Sequence, residues 1–141
     1  MTPASPPSFR HKTLAAVLAF FLGWAGAHWW YLGRRLPWLP LLASVLILGF
    51  AFWRETPLTS QLGGYYLFLI PLVAGFTEAM VLCLIDDRRF DARYNRGQAR
   101  QSNNGWLAVL LAIAFLLLGM SVIVSHVVTV ALAMADGTLR L

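Results

Sequence analysis

The chain has 141 residues, of which 59% are hydrophobic and only 12% are charged. A soluble globular domain usually carries about a quarter of charged residues, so this chain has too little charge to cover a surface exposed to water. The composition therefore excludes a cytosolic enzyme, a disordered tail and a disulfide-rich scaffold, and it indicates a membrane protein. The formal charge is +5, and all but one of the eleven basic residues are arginine.

Four apolar runs follow a proline-rich start. Residues 1–12 show no periodicity and are predicted to form a flexible tail, and residues 136–141 form a short tail at the other end. A bilayer core about 30 Å thick needs roughly 20 helical residues, and every backbone polar group inside it needs an internal partner. The sequence therefore predicts an all-α membrane protein with one bundle over residues 13–135, whose four transmembrane helices lie at about 13–33, 36–53, 65–85 and 106–134.

The first run has one alternative interpretation. Basic residues precede an apolar stretch that leads to Ala25-Gly26-Ala27, which is the outline of a cleavable signal peptide. The apolar run continues past Ala27 to Gly33, and the bulky side chain of Trp24 lies beside the potential cleavage site. These two features favour a retained helix.

The positions of Lys and Arg predict the orientation. Four of them would share a side with both chain ends: Arg10, Lys12, Arg54 and Arg140. Seven lie in the two other loops, 34–35 and 86–105: Arg34, Arg35, Arg88, Arg89, Arg93, Arg96 and Arg100. The positive-inside rule places the seven in the cytoplasm and both termini outward. We expect these arginines to contact anionic lipid headgroups or an acidic loop of a partner.

Small residues recur at four-residue spacing on three predicted helices. They are Ala15, Ala19, Gly23 and Ala27 on the first, Gly75 and Ala79 on the third, and Ser121, Ser125 and Thr129 on the fourth. Small side chains let helix backbones approach closely in a membrane. The residues either pack the bundle internally or, on the long fourth helix, contact another chain.

Glu78 is the one acid inside a predicted span, where a charge costs several kcal/mol. Counting helical rise from the span ends places His28, Ser44 and Glu78 at one depth. We predict an intramembrane polar contact there, in which His28 and Glu78 lock the first helix to the third. Two alternatives are a protonated Glu78 bonded to a hydroxyl or backbone carbonyl, and a short proton relay.

The charged segment after the third run predicts a short interfacial helix near 87–96. Phe90 and Tyr94 lie four residues apart on one face, where we expect them to enter the headgroup layer.

A motif in the first run resembles a known family. Residues 12–34 read KTLAAVLAFFLGWAGAHWWYLGR, in which the matching positions are Gly23, Gly26, His28, Tyr31, Leu32 and Gly33. They resemble the first helix and turn of the TM2 domain (NINE protein) family, with Trp29 and Trp30 at the family's Arg and Phe positions. Residues 84–95 are similar to a second stretch of a longer bacterial variety with four helices. The resemblance implies a TM2-like core over 12–34 and 84–95 in a bacterial inner membrane, and no enzymatic activity.

Catalytic and metal-binding motifs are missing from the sequence. It contains no G-x-S-x-G, H-E-x-x-H, C-x-x-C or phosphate loop, and its three His and one Cys are scattered. We therefore expect no enzyme, no cofactor, no metal and no nucleic-acid partner. The first hypothesis is a small binding, scaffolding or accessory subunit, whose partner is another membrane protein or a second copy. The alternative is an oligomeric transporter or proton-conducting unit centred on Glu78.

Overall fold

The computed structural model describes residues 8–53 and 59–136, and within these ranges the chain forms α-helices and no strand. The helices are α1 (Lys12–Leu22), α2 (Ala27–Leu32), α3 (Leu39–Trp53), α4 (Thr59–Leu84), α5 (Asp87–Tyr94) and α6 (Gly105–Ala135). A 3-10 turn, Gly23–Ala25, joins α1 to α2. The predicted all-α class is confirmed for the described part of the chain.

One of the described helices, α6, is long and apolar enough to cross a membrane as a single rod. Phe68–Leu84 and Asp87–Tyr94 meet the same criterion only together, and they are bent by 110° at the break between them. Lys12–Ala25 and Leu39–Phe50 are apolar but shorter. The prediction of four transmembrane helices is therefore not confirmed.

The first apolar run folds back on itself. A continuous helix over 13–33 would hold its ends about 30 Å apart. Instead, the backbone N–H of His11 donates to the Tyr31 hydroxyl at 2.7 Å, and the Arg10 guanidinium donates to the carbonyl of Leu32. The predicted single helix over 13–33 is wrong, because α1 and α2 form a hairpin.

Glycine permits this reversal. Gly26 has a φ of +71°, which side chains rarely adopt, and a Cβ there would lie 2.9 Å from the carbonyl oxygen of Pro37. Gly33 ends α2 with a φ of +64°, and a Cβ there would meet the Arg10 guanidinium. Two glycines of the predicted family motif thus shape the hairpin.

Helix α1 packs against α4 through small residues. Ala15, Ala19 and Ala79 are fully buried, and the backbones touch where Gly23 faces Gly75: a Cβ built on Gly75 would lie 2.8 Å from the Gly23 Cα. The predicted close packing of these five residues is present. Ala27, the fourth member of the first stripe, lies beyond the turn and begins α2, where it is half-buried.

Helix α6 uses a different face from the predicted one. Ala108, Ala112 and Phe115 are buried, and Gly119 lies against the ring of Phe76 on α4. Two residues turn a helix by about 200°, so a stripe that starts at residue 121 lies nearly opposite to this face. Of the two roles predicted for that stripe, internal packing is wrong, since all three of its residues are exposed: Ser121, Ser125 and Thr129.

The described part of the predicted tail is docked. The backbone N–H of Arg10 donates to Oδ1 of Asn95 at 2.9 Å, and Nδ2 of Asn95 donates to the carbonyl of Arg10 at 3.0 Å. Lys12 is 4% exposed, and its Nζ lies 2.7 Å from Oδ1 of Asp87. A flexible tail over the whole of 1–12 is therefore wrong for residues 8–12.

These contacts bring the N-terminal segment to the end of the bundle where α4 ends and α6 begins. We call this the basic end, since nine of the eleven basic residues lie in its segments: Arg10, Lys12, Arg34, Arg35, Arg88, Arg89, Arg93, Arg96 and Arg100. The predicted grouping of Arg10 and Lys12 with the opposite end is wrong, because the first run returns instead of crossing.

Helix α5 covers the basic end and confirms the predicted short helix near 87–96. Asp86 caps it by accepting from the backbone N–H of Arg88 at 2.8 Å. Phe90 is fully buried in the hydrophobic core, and Tyr94 packs against that core. The prediction that both aromatic rings enter the lipid headgroups is wrong, since they face the protein.

Candidate functional site

The strongest polar cluster lies where the hairpin meets α4. Glu78 of α4 contacts Nε2 of His28, accepts from Nε1 of Trp29 at 2.7 Å and accepts from Nη1 of Arg34 at 2.8 Å. We call these four residues the Glu78 cluster. The predicted contact between His28 and Glu78 is present, and it joins the hairpin to α4.

Arg34 supplies the charge that balances Glu78. Its guanidinium carbon lies 4.8 Å from the centre of the Trp29 ring, and its Nη2 is 3.5 Å from the Tyr94 hydroxyl. The prediction that Arg34 reaches outward to lipid headgroups or a partner is wrong, because the side chain turns back into the protein. The ion pair makes a protonated Glu78 unnecessary, since a carboxylate with these donors is satisfied.

The hairpin places the three donors. His28 and Trp29 lie in the first turn of α2, and Arg34 follows Gly33, the left-handed residue that ends the helix. A short helix between two glycines thus directs three side chains at one carboxylate. Trp29 stands where the family pattern has Arg, and its indole N–H still gives Glu78 a hydrogen-bond donor at that position.

Ser44 does not join this cluster. It is fully buried, and its hydroxyl donates to the carbonyl of Trp24 at 2.6 Å. The prediction that Ser44 shares the polar contact of His28 and Glu78 is wrong. The reason is geometric: Trp24 belongs to the 3-10 turn, and its carbonyl is the acceptor that the Ser44 hydroxyl reaches. Ser44 therefore ties α3 to the hairpin.

A small cleft reaches the cluster from the side. It has a volume of about 110 Å³ and is lined by His28, Trp29 and Glu78 together with the glycines at the α1–α4 contact. His28 is 1% exposed, and its Nδ1 has no hydrogen-bond partner among the described residues. The cleft shares Trp29, Pro40 and Ala74 with an apolar groove of about 280 Å³ between α3 and α4. Glu78 therefore lines a cleft and is not sealed inside the protein.

A second polar cluster fastens the basic end. Asp87 binds Lys12 and accepts from the backbone N–H of Asn104 at 2.8 Å. Asp91 accepts from the backbone N–H of Ser102 at 2.6 Å and from its hydroxyl. These two acids hold the N-terminal segment and the loop before α6 to α5.

The acids of this second cluster titrate below their ordinary range. Burial alone would raise the pKa of Asp87, but the hydrogen bonds from Lys12 and Asn104 and the Lys12 charge outweigh burial and lower it. Burial would likewise raise the pKa of Asp91, and the hydrogen bonds from Ser102 and Asn95 lower it instead. Both carboxylates are therefore stabilised in their charged form.

This shift predicts acid sensitivity. A lowered folded pKa adds stability that is fully present above the ordinary aspartate pKa and is lost as the pH falls through the folded value. We expect the melting temperature in detergent to fall as the pH drops below about 4, the ordinary aspartate pKa, and to fall less steeply in Asp87→Asn. Asp136→Asn, at the far end of α6, is the matched control and should keep the full acid dependence. An unchanged acid limb in Asp87→Asn would contradict the assignment.

The sequence did not predict that Lys12, Asp87 and Asn95 hold the N-terminal segment to the end of the bundle. The one signal for this contact was that residues 12–34 and 84–95 both resemble stretches of the TM2 family. In the structure these two stretches contact each other through Lys12 and Asp87. Among the described residues, no group of three or more His, Cys, Asp or Glu side chains is placed to hold a metal ion.

Comparison with known families bears on the first cluster. Residues 8–55 match the family model of the TM2 domain. The resemblance is thereby confirmed for that segment, which contains the hairpin and α3. The match supplies His28, Trp29 and Arg34, whereas Glu78 comes from the chain that follows it. No curated protein and no solved structure shows a significant match to this chain.

Proposed function

We propose that this chain is a membrane protein with its basic end in the cytoplasm, in a bacterial inner membrane. Helices α3, α4 and α6 cross the bilayer, and the hairpin of α1 and α2 enters from the basic end and returns to it. Three crossings place Ser8 and Asp136 on opposite sides of the membrane. The concentration of nine basic residues at one end supports this orientation.

Cysteine labelling distinguishes this topology from one with both termini outward. In a Cys83→Ala background, single cysteines replace Ser8, Arg96 or Asp136. With a membrane-impermeant maleimide on intact spheroplasts, we expect only the cysteine at 136 to react, and all three to react after lysis. Labelling of the cysteine at 8 together with that at 136 in intact spheroplasts would contradict three crossings.

The chain acts without chemistry, as a small binding, scaffolding or accessory subunit of a membrane complex. The observation that carries this proposal is the state of Glu78. Its carboxylate is engaged by three donors from one hairpin, which suits a structural lock better than a catalytic or relay group. The surfaces left for binding a partner are the basic end and the exposed part of α6 that follows Gly119.

Site-specific photo-crosslinking tests this subunit role. A photoreactive residue replaces Val128, which is 49% exposed on α6, or Ala112, which is 4% exposed against α4. We expect Val128 to give one discrete protein adduct in cells, whose mass distinguishes a second copy from another protein, and Ala112 to give none. The absence of any protein adduct at Val128, and at Val124 one turn earlier, would contradict the proposal.

The second candidate function is an oligomeric transporter or proton-conducting unit. The cleft beside His28 and Glu78 favours it, because a conducting group has to be reached from outside. The Arg34 pair counts against it, since a carboxylate held by a guanidinium exchanges protons poorly. Proton flux in proteoliposomes would favour conduction if Glu78→Gln abolished it. A flux equal to that of empty vesicles would exclude a conducting function.

A further inference from the structure

A polar cavity lies at the basic end, apart from the Glu78 cluster. It has a volume of about 170 Å³ and lies between the N-terminal segment and the loop that joins α5 to α6. Its walls include His11, Lys12, Arg100, Ser102, Asn103 and Asn104. Its lining is mostly polar, unlike that of the cleft beside Glu78 and of the apolar groove between α3 and α4.

The lining is rich in hydrogen-bond donors and contains no acid. Lys12 is almost completely buried, and two acceptors, Asp87 and the carbonyl of Ile85, occupy two of its three N–H donors. Arg100 lies over the ring of Phe9 at 4.7 Å, which holds the guanidinium at the wall of the cavity. Gln101 and Asn103, which also line the cavity, add amide donors, whereas the Ser102 hydroxyl and the backbone N–H groups of Ser102 and Asn104 are taken by Asp91 and Asp87.

The charge balance of the cavity selects its ligand. The charged side chains among the lining residues are Lys12, which pairs with Asp87, and Arg100, which has no ion pair among the described residues. Asp91 keeps its negative charge where it accepts from Ser102, but the segments of the basic end hold nine basic residues against three acids, Asp86, Asp87 and Asp91, so the surroundings of the cavity stay positive. One guanidinium with several neutral donors matches a singly charged phosphodiester, because such a group has one negative charge and several acceptor oxygens.

We propose that this cavity binds a phosphodiester group, supplied by an anionic lipid headgroup. The proposal rests on the proposed orientation only for the source of the ligand, since the basic end would lie at headgroup depth. The site itself depends on Phe9, His11, Lys12 and the 100–104 loop being held together. It would give the chain preference for one lipid chemistry, beyond the general attraction of arginines to anionic membranes.

Titration of the detergent-solubilised full chain tests the site. The probes are dihexanoyl phosphatidylglycerol, the headgroup fragment glycerophosphoglycerol, inorganic phosphate and zwitterionic dihexanoyl phosphatidylcholine. We expect saturable shifts of the backbone amide NMR signals of Ser102, Asn103 and Asn104 with phosphatidylglycerol, and weaker ones with phosphatidylcholine. Arg100→Gln should weaken binding about tenfold, which is the order expected for one charge-assisted hydrogen bond.

Arg96→Gln is the matched control. Arg96 lies on the same end and its Nε donates to the carbonyl of Ala92, away from the cavity. We expect it to change the affinity less than twofold. Equal weakening by the two variants, or no shift of the loop amides with phosphatidylglycerol, would overturn the site in favour of diffuse surface charge.

The other probes identify the source. Equal binding of glycerophosphoglycerol assigns the site to the phosphodiester group alone, and binding of phosphatidylglycerol only assigns it to the intact lipid. Tightest binding of inorganic phosphate would overturn the charge argument. Because the titration needs neither a bilayer nor a partner, its result is independent of the labelling and crosslinking outcomes.

Discussion

Gly23→Ala is expected to destabilise the protein by about 3 kcal/mol, the upper range for an overpacked core. A Cβ at residue 23 would lie 2.4 Å from the Cα of Gly75, a distance that real Cβ atoms essentially never show. The obstacle is backbone and not a flexible side chain, so α1 and α4 would have to separate. For a chain of this size we expect the melting temperature in detergent to fall by roughly 10 °C.

The direction of this effect is diagnostic, because alanine is the better helix former by up to about 1 kcal/mol. Gly49→Ala on α3 provides the matched control, since a Cβ there meets nothing within 4 Å. We expect its melting temperature to stay the same or rise slightly. If the two variants melted alike, the close approach of α1 and α4 would not be what holds the hairpin in place.

The small-residue pattern predicted this contact for a physical reason that sequence can carry. Ala15, Ala19 and Gly23 repeat at helical spacing on one face, and only a helix that packs closely needs such a face. The same pattern gave a wrong prediction on α6, where the hydroxyl groups bond within their own helix: Thr129 donates to the carbonyl of Ser125 at 2.8 Å. Spacing identifies a face, but it does not say whether a neighbour covers it.

Run length could not predict the hairpin. The number of apolar residues over 13–33 is enough to cross a bilayer, but it is the same whether the segment crosses or folds back. The signal for a reversal was the pair Gly26 and Gly33, because glycine adopts the positive φ that a sharp turn needs. Counting depth back from Gly33 still placed His28 level with Glu78, because that count does not depend on where the run begins.

The donors of Glu78 show the same limit. Arg34 follows an apolar run, where a basic side chain is ordinarily an anchor at the membrane surface. Nothing in the sequence states that it turns back over Trp29 to a carboxylate on α4. From the sequence, Glu78 could be recognised only as an acid whose charge needs a partner. The sequence therefore predicted that Glu78 makes a contact, and it identified one member of that contact, His28.

Glu78→Gln is expected to lower the stability by about 2 kcal/mol, the order of a hydrogen bond to a charged group. Glutamine keeps the size of the side chain but removes the charge that Arg34 faces, and its amide N–H₂ meets other donors. About a third of the Glu78 side chain is exposed, so the pair is only partly buried and its loss should cost less than that of a fully buried pair. We expect the melting temperature in detergent to fall by roughly 6 °C or more.

The neighbouring residue on α4 supplies the control. Thr77 is exposed, and its hydroxyl donates to the carbonyl of Val73 on the same helix. Thr77→Val should therefore melt within about a degree of the wild type, since surface changes of this kind cost little. A loss in Thr77→Val as large as that in Glu78→Gln would mean that α4 tolerates no change at this depth.

A double-mutant cycle separates the ion pair from general packing. Arg34→Gln alone leaves the Glu78 carboxylate without its charged partner, whereas the double variant leaves neither charge unpaired. We therefore expect the double variant to lose less stability than the sum of the two single losses, by about 1 kcal/mol or more. Additive losses would show that Arg34 and Glu78 act independently, and the cluster would then not be the lock between the hairpin and α4.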